Sequence, residues 1–341
     1  MAPWSARGEK PIGRGFLLGL RLGSGFIFLA TPAVSSPTMN LPRSFVSSWL
    51  PALRLRALCS LIVSATLLTA ARADEAAAPP VGLRVLTCGH SFHAWAGSMI
   101  ADLAESAGIQ GHRLAGLSSI GGSRVIQHWA VPEERNEARK QLTAGQVDVL
   151  TLSPIWLPDE GIEKFAQLGV AQNPAIRVLV QEFWLPNDTY RPVYPLETRV
   201  VVDHNATDLA ELRRQNDRYR ADLEGHIREI NQRLGREVVY VVPVGEASIA
   251  LREKIVAGKA PGLKVQWRLF TDTWGHPTPP LKTLAAYCHY AVIYRRSPVG
   301  LPLPPELVQN KEFALPALNR LLQQIAWDTV RHHPMTGVGP K

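Results

Sequence analysis

The stretch Leu83-Arg84-Val85-Leu86-Thr87-Cys88-Gly89-His90-Ser91-Phe92-His93 decides the fold. Its first five residues form a short, mostly apolar run of the kind that fills a strand buried on both faces. Cys88-Gly89 ends the run, and Gly89 opens turn conformations that other residues resist. Behind it, 94–107 places apolar residues at helical spacing and stops at Gly108, a helix-ending signal.

Working outward, the same alternation repeats. The pattern predicts strands at 113–118, 147–152 (VDVLTL), 176–183 (IRVLVQEF) and 238–242 (VVYVV), with a last strand at 264–270. Between them it predicts a helix over 124–144 interrupted at Pro132, and one over 159–168 with acidic residues at its start. A long, highly charged and mostly solvated helix is expected over 207–234, then helices over 248–257 and 279–294. A helical region follows over 305–332. Three prolines within 186–205 break the rhythm, so 185–205 reads as an insertion over one end of the sheet. Strands alternating with helices imply a parallel α/β sheet with helices on both faces. The expected organisation is a linker at 74–82, a domain at 83–300 and a C-terminal helical extension at 301–341.

The composition is that of a globular chain, 46% hydrophobic and 19% charged, which excludes a disordered or collagen-like protein. The net charge of +8 at first suggests nucleic acid. Residues 1–73, however, hold eight Lys and Arg against the single acid Glu9, while the remainder holds 29 basic and 28 acidic residues. A body so close to neutral has no general attraction for phosphate backbones, so no nucleic-acid partner is expected.

Residues 1–73 read as a leader. Met39 is a possible start; Arg43, Arg54 and Arg56 precede the apolar run 57–70, and Ala71-Arg72-Ala73 is a small-x-small cleavage pattern. The run falls short of the ~20 residues of a membrane span. Cleavage after Ala73 would export the protein to the periplasm or the exterior with no remaining span; an uncleaved anchor is the alternative.

Ligands in parallel sheets bind beyond the carboxyl ends of the strands, and two sequences there carry chemistry. Ser91 follows the first strand directly, where a tight turn exposes its hydroxyl and a helix N-terminus supplies N–H groups to a developing oxyanion. Helix capping is the plainer role for such a serine. Asp272-Thr273-Trp274-Gly275-His276 places a carboxylate and an imidazole in one loop, where the Asp can fix the ring tautomer and leave the other nitrogen to take a proton. The plainer role is an ordinary polar turn.

Together these blocks resemble the SGNH (GDSL-like) hydrolase family across about residues 83–294. Gly89-His90-Ser91 stands where the family has Gly-Asp-Ser, Gly121 or Gly122 where it has its oxyanion glycine, and Asp272 and His276 where it has Asp-x-x-His. The resemblance implies a three-layer α/β/α sandwich with a flavodoxin-like sheet. It also implies ester hydrolysis by Ser91, His276 and Asp272 through an acyl-serine, without cofactor or metal. Three positions depart from the family: His90 replaces an Asp, the Asp-to-His spacing is four rather than three, and Ser153-Pro154-Ile155-Trp156 stands where Gly-x-Asn should supply an oxyanion donor. Ser153 is the expected substitute. The expected substrate is a small-molecule or carbohydrate ester, such as an acetylated sugar. The alternative is a catalytically weakened domain that binds a glycan or cell-envelope component.

A competing metal site would use Cys88, His90 and His93, with His276 or His289; otherwise His90 lines the rim of the site and His93 packs near it. Trp156, Trp184 and Trp274 fall on site loops where they could stack on sugar rings, while Trp95, Trp129 and Trp327 read as core. Cys88 and Cys288 can form a disulfide or remain two buried thiols.

Overall fold

A computed structural model describes residues 79–191 and 200–339. The leader, its cleavage point and most of the 74–82 linker lie outside the described residues. The strands are β1 (Arg84–Gly89), β2 (Arg113–Ser119), β3 (Val149–Leu152), β4 (Arg177–Gln181) and β5 (Val239–Val242), all parallel in the order β2-β1-β3-β4-β5. That order has its switch point between β1 and β3, as in flavodoxin-like sheets. The central strands are buried along nearly their whole length, which is why they read as continuous apolar runs. Edge strand β2 is half exposed and more polar.

The helices are α1 (Ala96–Ser106), α2 (Val125–Trp129), α3 (Glu137–Thr143), α4 (Glu160–Gln172), α5 (Leu209–Arg233), α6 (Val244–Val256), α7 (Pro279–Tyr294), α8 (Pro305–Gln309) and α9 (Pro316–His332). Helices cover both faces of the sheet. α1 packs on α7 and α7 on α9, while α2 and α3 pack on α4. Arg233 of α5 holds Glu163 of α4 through two bonds of 2.9 Å.

Four expectations are changed or refined. Residues 264–270 form no strand. A 3-10 turn spans Gln266–Leu269, and the only pairing nearby is the single bridge Phe270–Pro277. Within this stretch Gln266 is buried and bonds Arg252 at 2.7 Å. α5 is mostly exposed or partly exposed, as its charge suggested, but Leu212, Asn216, Tyr219, Leu223, Ile227 and Ile230 bury one face of it. The helices expected after 300 are present, and α9 packs on α6 and α7 within the same compact unit. Gly89 is required by close packing and not by its backbone angles. A Cβ there would sit 2.3 Å from His93 Nδ1. No described helix is long and apolar enough to cross a membrane.

Candidate active site

The turn after β1 closes through bonds from the His93 and Ala94 N–H groups to the His90 carbonyl, leaving Ser91 exposed ahead of α1. Its carbonyl accepts a 2.9 Å bond from Trp95 Nε1, which braces the turn from the first residues of the helix. Ser91 Oγ lies 2.9 Å from His276 Nε2, and His276 Nδ1 donates to Asp272 Oδ2 at 2.6 Å. Residues 185 positions apart thus form one hydrogen-bonded line.

The four-residue spacing is accommodated by the Asp272 side chain. Its Oδ1 accepts from the backbone N–H groups of Trp274 (3.0 Å), Gly275 (3.1 Å) and His276 (3.1 Å), so the carboxylate is the hub of its own loop. Gly275 absorbs the added length at φ 93°, a left-handed conformation open to glycine. Burial alone would raise the Asp272 carboxyl. The His276 N–H, the His276 ring and the Gly275 N–H outweigh it and hold the group below its ordinary value. The Phe92 ring lies against His276 with centroids 4.7 Å apart and meets Phe183 and Trp184 behind, giving the imidazole an aromatic wall.

Gly121 and Gly122 are both exposed at the end of β2, with open space where their Cβ atoms would stand and φ 59° at Gly122. Their loop is anchored by the Ile120 N–H on the Gly89 carbonyl at 3.1 Å. His128 anchors it from below, with Ser118 Oγ 2.7 Å from Nδ1 and Ser123 Oγ 2.8 Å from Nε2. Ser153 is buried. Its hydroxyl meets Gln181 Nε2 at 3.5 Å and its carbonyl accepts from His90 Nε2 at 3.1 Å. Ile155 and Trp156 are buried, and the Pro154 carbonyl accepts a 2.6 Å bond from Tyr219 on α5.

His90 does not line the rim. It is 1% exposed, receives the Phe92 N–H on Nδ1 and ties the turn after β1 to the one after β3. Burial lowers it to about 3, so it is a neutral strut. His93 is fully buried beside His289, with ring centroids 5.3 Å apart. Among the described residues, no group of three or more His, Cys, Asp or Glu side chains is placed to hold a metal ion. Cys88 and Cys288 are separate buried thiols, and burial pushes Cys88 up to about 12.

Trp156 and Trp184 are buried, so neither presents a face to a sugar ring. Trp274 is half-buried, and so are Trp95, Trp129 and Trp327. Trp184 instead donates through Nε1 to the Gly275 carbonyl at 2.9 Å. The described part of the 185–205 insertion continues this grip. Asn187 donates from its backbone N–H to the Trp274 carbonyl and from Nδ2 to the Thr273 carbonyl, and His204 Nε2 donates to the Asp272 carbonyl. None of these residues belongs to a readable motif. The one signal in the sequence is Asn187-Asp188, a pair tolerant of the left-handed conformations (φ 51° and 53°) it adopts.

No family model matches the chain, and no curated protein matches it by sequence. Three solved structures are similar. A DUF4886 family protein from Bacteroides uniformis is 14% identical, with 74% of this chain and 95% of that one covered at a TM-score of 0.46. A protein from Slackia heliotrinireducens proposed to be an SGNH hydrolase is 17% identical over 61% and 97%, at 0.36. One from Parabacteroides merdae proposed to be a GDSL-like lipase is 15% identical over 62% and 96%, at 0.38.

Proposed function

We propose that the chain is an SGNH-like serine ester hydrolase that acts after export. The observation that carries this reading is the continuous line Ser91 Oγ, His276 Nε2, His276 Nδ1, Asp272 Oδ2, at 2.9 and 2.6 Å. In this arrangement His276 takes the proton as Ser91 attacks the ester carbonyl carbon, and Asp272 holds the ring tautomer and supports the imidazolium that forms. Collapse of the tetrahedral intermediate expels the alcohol, which receives the proton from His276. Water activated by His276 then releases the acid from acyl-Ser91.

The oxyanion rests on the N–H of Ser91 and one from the Gly121-Gly122 loop, whose open front leaves room for it, with Ser153 as the candidate third donor. Without the family's Asn the hole is short of a donor, worth about 10²–10³ in turnover, so slow hydrolysis of activated esters is expected. Acetyl groups on carbohydrate fit an exported enzyme of this kind.

The burial of Ser153, Ile155 and Trp156 where the family has its donor favours a second reading, a domain that binds a glycan or cell-envelope component without turning it over. The test is hydrolysis of p-nitrophenyl acetate and acetylated sugars by wild type and Ser91→Ala, with phosphonate labelling of Ser91. Turnover that survives Ser91→Ala removes the mechanism. Sugar binding with neither turnover nor labelling selects the second reading.

A further inference from the structure

Resting on the triad reading above, we propose that His204 is a positioning residue for the Asp272–His276 loop, held in a buried seat made by Asp188 and Arg252. His204 is fully buried and each ring nitrogen faces an acceptor: Nδ1 lies 2.8 Å from Asp188 Oδ2 and Nε2 lies 3.0 Å from the Asp272 carbonyl. The seat is rigid. Arg252 of α6 grips both Asp188 oxygens, at 2.6 and 2.9 Å, and spends its remaining reach on Gln266 Oε1 (2.7 Å) and the His204 carbonyl (3.2 Å). Thr207 Oγ1 also donates to Asp188. Such a two-pronged guanidinium–carboxylate contact fixes direction as well as distance. Burial pushes the Asp188 carboxyl up, but His204 and Arg252 outweigh it and hold it far below its ordinary value.

The contact matters because of where it lands. The Asp272 carbonyl shares a Cα with the carboxylate that orients His276, so fixing that carbonyl limits how far the carboxylate can swing. The neighbouring carbonyls are held too, Thr273 and Trp274 by Asn187 and Gly275 by Trp184. Each carbonyl from Asp272 to Gly275 is therefore bonded to residues from 184–204, and His204 holds the one nearest the chemistry. The exposed triad borrows its rigidity from a buried network that never touches substrate. A displacement of about 1 Å in such a site costs on the order of a hundredfold.

The test uses the full chain and two substitutions that each keep one half of the imidazole. His204→Asn leaves an amide N–H near the place of Nδ1, facing Asp188, and withdraws the bond to Asp272. His204→Gln reaches to the place of Nε2 and keeps that bond. Rates of p-nitrophenyl acetate hydrolysis are normalised to the amount of Ser91 that takes phosphonate, so loss of folded protein does not count. His204→Asn should lower kcat per labelled site by about tenfold to a hundredfold with KM nearly unchanged. It should also weaken the far-downfield proton NMR signal of His276 Nδ1–H, assigned by its loss in His276→Ala. His204→Gln should restore most of both.

Wild-type kcat and signal in His204→Asn, or equal losses in the two variants, would overturn the proposal. Asp188→Asn offers a second route should either variant fold poorly. Loosening the seat should reproduce the kcat loss at unchanged KM, and full turnover per labelled site there would also overturn it. If wild type neither hydrolyses the ester nor takes phosphonate, the esterase reading fails, and the NMR signal in the same variants still decides the role of His204.

Discussion

His276 and His204 each hold a carboxylate through Nδ1, at 2.6 Å to Asp272 and 2.8 Å to Asp188. Their surroundings differ at the other nitrogen. His276 Nε2 faces a serine hydroxyl and its side chain is 36% exposed; His204 Nε2 faces a backbone carbonyl and is sealed from solvent. A His–Asp pair is a base only where the free nitrogen meets a group that can give up a proton and a substrate can arrive. The same pair closed on both sides is a brace. The difference lies in the partner of one nitrogen and in access, not in residue type.

Deleting the working parts of the open pair should give the largest effect. Ser91→Ala and His276→Ala should each lower kcat by about a millionfold, and the double variant should be little worse, because the residues act as one unit. Asp272→Asn should cost less, about ten-thousandfold, since the Asp orients the ring without carrying the proton. Ser91→Ala should leave the unfolding midpoint nearly unchanged, because Ser91 is exposed, whereas Asp272→Asn should lower it slightly, because the ionised carboxylate accepts three N–H groups of its loop. Single-turnover kinetics with thermal unfolding on the same samples checks both halves.

Closed histidines make a second, pH-dependent contrast. Burial lowers His90 and His289 to about 3 and His128 to about 4, and holds His93 well below its ordinary value. The unfolded chain takes up these protons near pH 6.5 and the folded chain does not. Their contribution to stability is therefore complete above about pH 6.5 and is lost as pH falls towards the folded values, at about 1.4 kcal/mol per pH unit for each group.

Glu182 works in the opposite sense. Burial raises its carboxyl to about 7, so the folded chain keeps a proton that the unfolded chain has lost above about pH 4.5. The stability it contributes is present below that pH and lost as pH rises through 7. Urea unfolding from pH 8 to pH 5 should show stability falling steeply on the acid side. Glu182→Gln should remove the shallower loss between pH 5 and 7, unmasking the histidines. A flat acid limb would show that these rings are not neutral in the folded state.

The open pair was legible in the sequence and the closed one was not, for a physical reason. Ser91 stands directly behind a buried apolar strand, where the strand-end rule finds it; Asp272 and His276 follow a 3-10 turn and not the expected strand, so only their closeness within one loop marked them. The brace is assembled from Asp188, His204, Arg252 and Gln266, whose charges and amides look like surface residues when read singly. Arg252 sits in α6 among ordinary polar positions, yet it is among the largest fully buried side chains. Gln266 was hidden as well, lying inside the expected strand 264–270 while its partner is Arg252. Tyr219 was likewise hidden in a helix whose charge suggested solvent, although it reaches the Pro154 carbonyl. Local pattern reports buried apolar faces well and buried polar contacts between distant segments poorly.

The sharpest division between the pairs comes from Asp188 itself. Removing one partner of a buried ion pair leaves the other uncompensated, and Asp188→Ala strands Arg252, which is 2% exposed, with the ring of His204. Unfolding free energy should drop by about 3–5 kcal/mol. That substitution also places a Cβ-bearing residue with no local polar group at φ 53°, a conformation that costs about 1–2 kcal/mol for ordinary residues. Asp188→Gly and Asp188→Asn separate the two causes. Glycine relieves the backbone and still deletes the carboxylate. Asparagine tolerates the conformation and keeps one oxygen for Arg252 but loses the charge. If the ion pair dominates, Asp188→Gly should be nearly as unstable as Asp188→Ala, and Asp188→Asn should fall between them and wild type. If Asp188→Gly instead recovers most of the stability, the left-handed turn was the main cost and the comparison drawn between the two histidines loses its energetic half. Chemical denaturation at pH 7, with the three variants at equal concentration, gives the order directly.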